Sequence, residues 1–398
     1  MLQKLNAFLL FAIGLPILAQ SLLTPEVAEQ SRHLLSLAPQ TRSLNCNIRL
    51  VKPSLDYAFR FESGYRVRCS VKEFEGKASS ILSLLRVTPE HGTPLLLSEE
   101  YSVPAIPVDL QRKVKLKQVD SSVEMDGRFR IGEGTYLADL VLVDDRGRRF
   151  EKRWTTCAAR DRETAMVPMS MTAHTAEPAA VDAWDQSRFA FTRAGIRLAI
   201  LLDATPTDKR SVRLRPADRV QLLDSLASLL RQMPCAAVRL VAFNLDQQRE
   251  IIQEEGADRK AFGRLSTALG ALDLSTISYR MEQHQFGWSD LLTGIANREL
   301  AYGKLPDALV FLGAMSQVSG AIPPEMLVAA ERPKPPLFYF EYVPPPMIGQ
   351  EIPDALDYFT VARKGTVYRI HSPVEFAAAI QSMRASLEQI EGRQFSSR

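Results

Sequence analysis

No C-x-x-C pair occurs among the four cysteines of this 398-residue chain, which argues against a zinc ribbon or a dithiol redox site. The five histidines, His33, His91, His174, His284 and His371, are scattered, and none has a second histidine or an acid at the H-E-x-x-H spacing. Neither G-x-x-x-x-G-K-[ST] nor G-x-G-x-x-G is present, so nucleotide phosphates have no evident cradle. Charge is balanced to a net of +3 with no block of one sign, and nothing in it asks for nucleic acid. Beyond residue 20 no apolar run approaches the roughly 18 residues that would span a bilayer.

The first residues are apolar. Lys4 supplies a positive n-region and Ala7 to Ala19 an uninterrupted hydrophobic stretch, too short to cross a bilayer comfortably. Residues 1–20 therefore read as a secretory signal peptide, with an uncleaved anchor as the competing reading. Export predicts a secreted or periplasmic protein with no membrane span after cleavage. In that compartment Cys46, Cys69, Cys157 and Cys235 form an even set. Cys46 and Cys69 lie in strand-like segments of one domain and are the favoured pair; four buried free thiols are the open alternative.

Residues 21–44 read as a lead-in or linker. From 45 to 160 short runs such as "YAFRFESGYRVRCSVKEF" and "YLADLVLVDDRGRRFEKRWTT" alternate with period two between Gly and Pro, which predicts an all-β sandwich. Gly147 is placed to take the positive φ of a hairpin turn. Arg66, Arg68 and Lys72 give one strand a basic face. Residues 161–194, rich in Ala, Met, Thr and Pro, read as an extended linker. From 195 to 392 continuous apolar runs ("IRLAILLD", "DALVFLGAM", "PLFYFEYV") alternate with helical periodicity, which predicts a doubly wound, Rossmann-like α/β domain.

Three stretches in that last part, "LAILLDATPT", "FGWSDLLTGIA" and "ALDYFTVARKGTVYRIHSPVEFAAAI", resemble von Willebrand factor A domains of the divergent secreted bacterial type. The resemblance implies a metal-ion-dependent adhesion site at the carboxyl edge of the sheet. On this chain the metal ligands would be Asp203, Thr205, Thr207 and Ser289, oxygen donors suited to Mg²⁺ or Mn²⁺. The family's Thr-Asp-Gly aligns with Gly313, Ala314 and Met315, so its carboxylate is absent and the site reads as degenerate. The competing reading of "DATPT" is an aspartate capping loop amides beside strand-end hydroxyls.

The expected function is non-catalytic: binding of another protein or a cell-surface component by the loops at this edge. Two other classes stay open, a structural scaffold of a secreted or envelope assembly and a hydrolase with an unrecognised site. Ser316 in "GAMSQVSG" does not match the Gly-x-Ser-x-Gly elbow and reads as loop. "EYVPPPMIGQEIP", Glu341 to Pro353, reads as a rigid surface loop or a polyproline segment for a partner's aromatics.

Overall fold

The computed structural model describes residues 21–22, 43–74, 77–105, 122–179, 195–206, 211, 213–256, 258–272, 274, 287–301, 305–316, 318, 320, 335–344, 347–349 and 352–396. The fold is mixed α/β with three sheets. Among the described residues no helix is long and apolar enough to cross a membrane.

Two sheets are antiparallel and share one core. The first has the order β1 (Ser21–Leu22), β5 (Leu95–Val103), β4 (Ser79–Pro89), β7 (Gly134–Asp144), β8 (Arg149–Ala158). The second has the order β2 (Cys46–Leu55), β3 (Phe61–Ser70), β6 (Ser122–Ile131), β9 (Ala176–Pro178). Tyr65, Val67, Met125 and Phe129 from the second sheet pack with Leu85, Val87, Tyr136 and Trp154 from the first. Alternation along β3 turns its arginines outward, where Arg66 pairs with Asp126 at 2.8 Å and Arg68 with Glu124 at 2.7 Å. These two arginines are thus paired across the sheet, whereas Lys72 lies beyond β3 in the 3-10 turn Val71–Phe74. Gly147 takes φ +76° in the β7–β8 hairpin, as its sequence context predicts.

Cys46 and Cys69 stand opposite each other on β2 and β3 and are disulfide-bonded; Cys157 is an exposed and Cys235 a buried free thiol. Cys46→Ser is expected to lower stability by about 2–4 kcal/mol through the freed chain entropy of the unfolded state. Urea unfolding of the oxidised protein measures it.

Short strands also form where the sequence suggests lead-in and linker. β1 pairs with β5, and β9 pairs with β6. Val167 and Met171 are buried, Met169 packs against the two-sheet core, and Met166 is exposed.

The third sheet has the order β12 (Arg249–Glu255), β11 (Cys235–Asn244), β10 (Ile196–Asp203), β13 (Ala308–Ala314), β14 (Leu337–Tyr342), β15 (Thr366–Ile370). All neighbours are parallel except β11 with β12. Helices cover both faces, which is why "IRLAILLD" is apolar throughout rather than alternating. Helices α1 (Pro216–Gln232), α2 (Arg259–Gly270) and α5 (Pro373–Ser396) bury Leu198, Ile200 and Leu202 with Leu226, Phe262 and Phe376. Helices α3 (Gly287–Ala301) and α4 (Ala355–Ala362) bury Leu201, Phe311 and Tyr339 with Leu292 and Phe359 on the other. Local signals set the helix starts: Pro216 opens α1, Asp258 caps α2 by accepting from the Ala261 N–H, and Asp354 with Asp357 forms a capping box on α4.

Candidate functional site at the carboxyl edge of the parallel sheet

Strand β10 is the point where strand order reverses, the place where open α/β sheets bind ligands. Its last residue, Asp203, follows Ala199 and Leu201 at period two, so its side chain lies on the α3/α4 face. The Asp203 side chain is fully buried. Its Oδ1 accepts from the Thr205 backbone N–H at 3.1 Å and from the Thr205 hydroxyl at 2.7 Å. Its Oδ2 is buried with no hydrogen-bond partner among the described residues. Burial holds this carboxyl well above the ordinary range; the Thr205 hydroxyl opposes the shift, and the charges of Asp246 and Asp354 add to it.

Of the other expected ligands, Ser289 is buried in the first turn of α3, on the same face of the sheet. The Thr293 hydroxyl donates to the Ser289 carbonyl. Thr207, like Asp208, lies outside the described residues. Asp290 is exposed. The capping interaction expected of Asp203 is present, and it leaves one carboxylate oxygen unused.

Asp203 pairs with Gly313, not Ala314, and Ala314 belongs to the core on the opposite face. A Cβ at Gly313 would stand 2.8 Å from the Asp203 Cβ, so glycine is what lets Asp203 sit here. The same row continues to Glu341 on β14 and Arg369 on β15. A glycine therefore separates two fully buried carboxylates.

Sequence reasoning missed the second half of this row. Glu341 Oε2 accepts from Arg369 Nε at 3.2 Å, whereas Oε1 is buried and has no hydrogen-bond partner among the described residues. The α4 capping box brings Asp354 and Asp357 over it. Asp354 Oδ2 accepts from the Ser316 N–H at 2.7 Å and the Tyr339 hydroxyl at 3.1 Å, and Oδ1 accepts from the Asp357 N–H at 2.8 Å. Asp357 Oδ2 lies 3.6 Å from Arg369 Nη2. Burial, reinforced by Asp357 and Asp354 and opposed by Arg369, pushes Glu341 up to about 8. Burial also pushes Asp354 up to about 6, against the N–H groups of Asp357 and Ser316. One oxygen each from Glu341, Asp354 and Asp357 lies within 4.8 Å of the others, an arrangement able to hold a metal ion. Two signals pointed there: a glutamate inside the otherwise apolar "PLFYFEYV", and "DALD" before an apolar helix.

Ser316 is a buried loop residue whose hydroxyl accepts from the Val318 N–H at 3.1 Å. Among the described histidines, His91 and His174 have ring centroids 5.4 Å apart, and His371 Nδ1 lies 2.8 Å from Glu375.

No family model and no curated protein matches the chain. Similar solved structures include the ApaA protein of Bordetella pertussis, at 13% identity over 31% of this chain and 99% of that chain, TM-score 0.19. A structural genomics target designated SoR45 has 10% identity over 35% of this chain and 99% of its own, TM-score 0.19. Bacteroides uniformis β-glucuronidase 2 has 9% identity over 75% of this chain and 36% of its own, TM-score 0.20. Likenesses this slight carry no argument about fold or function.

Proposed function

We propose that this is an exported binding protein, with an N-terminal β-sandwich and a C-terminal von Willebrand factor A-like unit, and that it has no catalytic role. Its ligand is another protein or a cell-surface component, met by the loops after Asp203, around Gly287 to Asp290 and after Leu312. The disulfide supports an oxidising compartment. The sheet order, with the third strand in sequence antiparallel at one edge, supports the doubly wound assignment.

The observation that carries the reading is Asp203 Oδ2, a buried carboxylate oxygen at the switch point of the sheet with no hydrogen-bond partner among the described residues. Leaving such an atom unsatisfied is costly, and a cation is the natural complement to it. The residues present fit a hard ion such as Mg²⁺ or Mn²⁺, which takes oxygen donors. Asp203, Thr205, Thr207 and Ser289 would hold it, and Asp354 adds negative charge from the cap of α4. The ion, when bound, supplies an acceptor for a partner's carboxylate. The chain's own part is to orient Asp203 through the Thr205 hydroxyl and N–H.

Calorimetric titration of Mg²⁺ and Mn²⁺ into the full chain tests this. Binding is expected, weakened about ten-fold by Thr205→Ala or Ser289→Ala and abolished by Asp203→Asn. No binding at ion concentrations up to about millimolar would mean that "DATPT" keeps the family's sequence without its chemistry.

A further inference from the structure

Beyond Gly313, Glu341 and Asp357 have no part in the reading above, and Asp354 enters it only through its charge. We propose that Glu341, Asp354 and Asp357 form a separate calcium site that ties β14 to the N-terminus of α4, with Arg369 as an internal cation that competes for it.

Three observations carry this. The first is geometric: one oxygen from each carboxylate lies within 4.8 Å of the others, a spacing that accommodates a single ion with oxygen ligands at calcium-like distances. The second is the Glu341 side chain, fully buried, with Oε1 lacking a hydrogen-bond partner among the described residues. The third is charge. Three buried carboxylates face one guanidinium, and Arg369 touches only two of them, Glu341 at 3.2 Å and Asp357 at 3.6 Å. The Arg369 side chain is 44% exposed, so it can swing into solvent and give up those two contacts.

The chemistry selects calcium. Magnesium demands near-ideal octahedral geometry, which three carboxylates fixed by a strand and a helix cap do not supply. Calcium accepts irregular arrays of mono- and bidentate carboxylates. Asp354 is already immobilised by Ser316, Tyr339 and Asp357, so little ordering remains when an ion enters. The inference does not depend on the Asp203 site, and the variants below separate the two.

Calcium alone is titrated into the full chain by calorimetry and by thermal unfolding. The wild type is expected to bind in the range of about 0.1–1 mM and to melt at a higher temperature when loaded. Arg369→Gln removes the competitor and should bind at least about ten-fold more tightly, with calcium restoring the stability that the substitution loses. Glu341→Gln should lose the calcium response, and Asp203→Asn should keep it. If Glu341→Gln does not fold, Glu341→Asp keeps the charge but withdraws it by one methylene and should weaken binding about ten-fold. The proposal is overturned if the wild type shows no response well past about 1 mM, if the response survives in Glu341→Gln or is unchanged in Glu341→Asp, or if it disappears in Asp203→Asn.

Discussion

Replacing Asp224 with alanine is expected to destabilise the protein by about 3–5 kcal/mol. Asp224 lies on α1, yet both its oxygens are taken by arginines from the β2–β3 turn and from β6: Oδ1 accepts from Arg60 Nη2 at 2.9 Å and Oδ2 from Arg130 Nη2 at 3.0 Å. Asp56 completes the cluster at 3.2 Å from Arg60 and 3.3 Å from Arg130. All four side chains are at most 13% exposed. Alanine would leave two buried guanidiniums sharing one carboxylate, and an uncompensated buried charge is what makes such deletions severe. Burial also raises Asp56 to about 6, with Arg60 and Arg130 opposing and Asp224 reinforcing. Folding therefore takes up a proton at Asp56. Stability from this group is fully present below its ordinary value and is lost as pH rises through about 6, and Asp224→Ala removes one of the charges that raise it. Urea unfolding at neutral pH measures the effect. A loss under about 1 kcal/mol, the worth of an exposed pair, would mean that solvent reaches the cluster.

Phe59→Ala should cost a similar amount, about 3–5 kcal/mol, for an apolar reason. The turn between β2 and β3 carries Phe59 out of its own sheet and into the core formed by β10, β13, α1 and α5, where it is buried and its ring centroid is 5.8 Å from that of Phe376. Tyr57 follows it with an edge contact to Tyr342 at 5.0 Å. Phe59 adopts φ +60°, a left-handed conformation that a bulky residue takes only when its surroundings require it. The requirement is visible: Asp56 Oδ1 accepts from the Ala58 and Arg60 N–H groups at 2.9 Å, fixing the turn. Phe59→Gly separates strain from packing. It relieves the backbone but removes the same ring, so it should be as damaging as alanine or slightly less. Thermal unfolding compares the two; a glycine variant as stable as the wild type would mean that the ring contributes little.

Much of this architecture could be read from the residues in order. Period-two runs gave the antiparallel strands, "IRLAILLD" the central strand, Gly147 the hairpin, and proximity within one domain the Cys46–Cys69 pair. Asp203 stood out because an acid ends an apolar run. The remaining site residues were hidden for a physical reason. Whether Gly313 or Ala314 faces Asp203 depends on pairing register, which hydrophobic runs buried on both faces do not specify. Glu341, Asp354 and Arg369 come together only because β14, the α4 cap and β15 meet at one edge, and "EYVPPPMIGQEIP" had drawn attention to its prolines instead of its first residue. Packing of Val167 and Met171 in the linker-like stretch was equally invisible, since composition alone does not reveal a docked segment.

In the proposed site the unused oxygen of Asp203 is a cation ligand. Anomalous diffraction from crystals of the full chain grown with Mn²⁺ reads this out. A manganese peak is expected at coordination distance from Asp203 Oδ2, near the hydroxyls of Thr205 and Ser289. A protein that crystallises in the same fold under millimolar Mn²⁺ with no peak at Asp203 would contradict it, leaving the carboxyl edge to bind its partner by shape and hydrogen bonds alone.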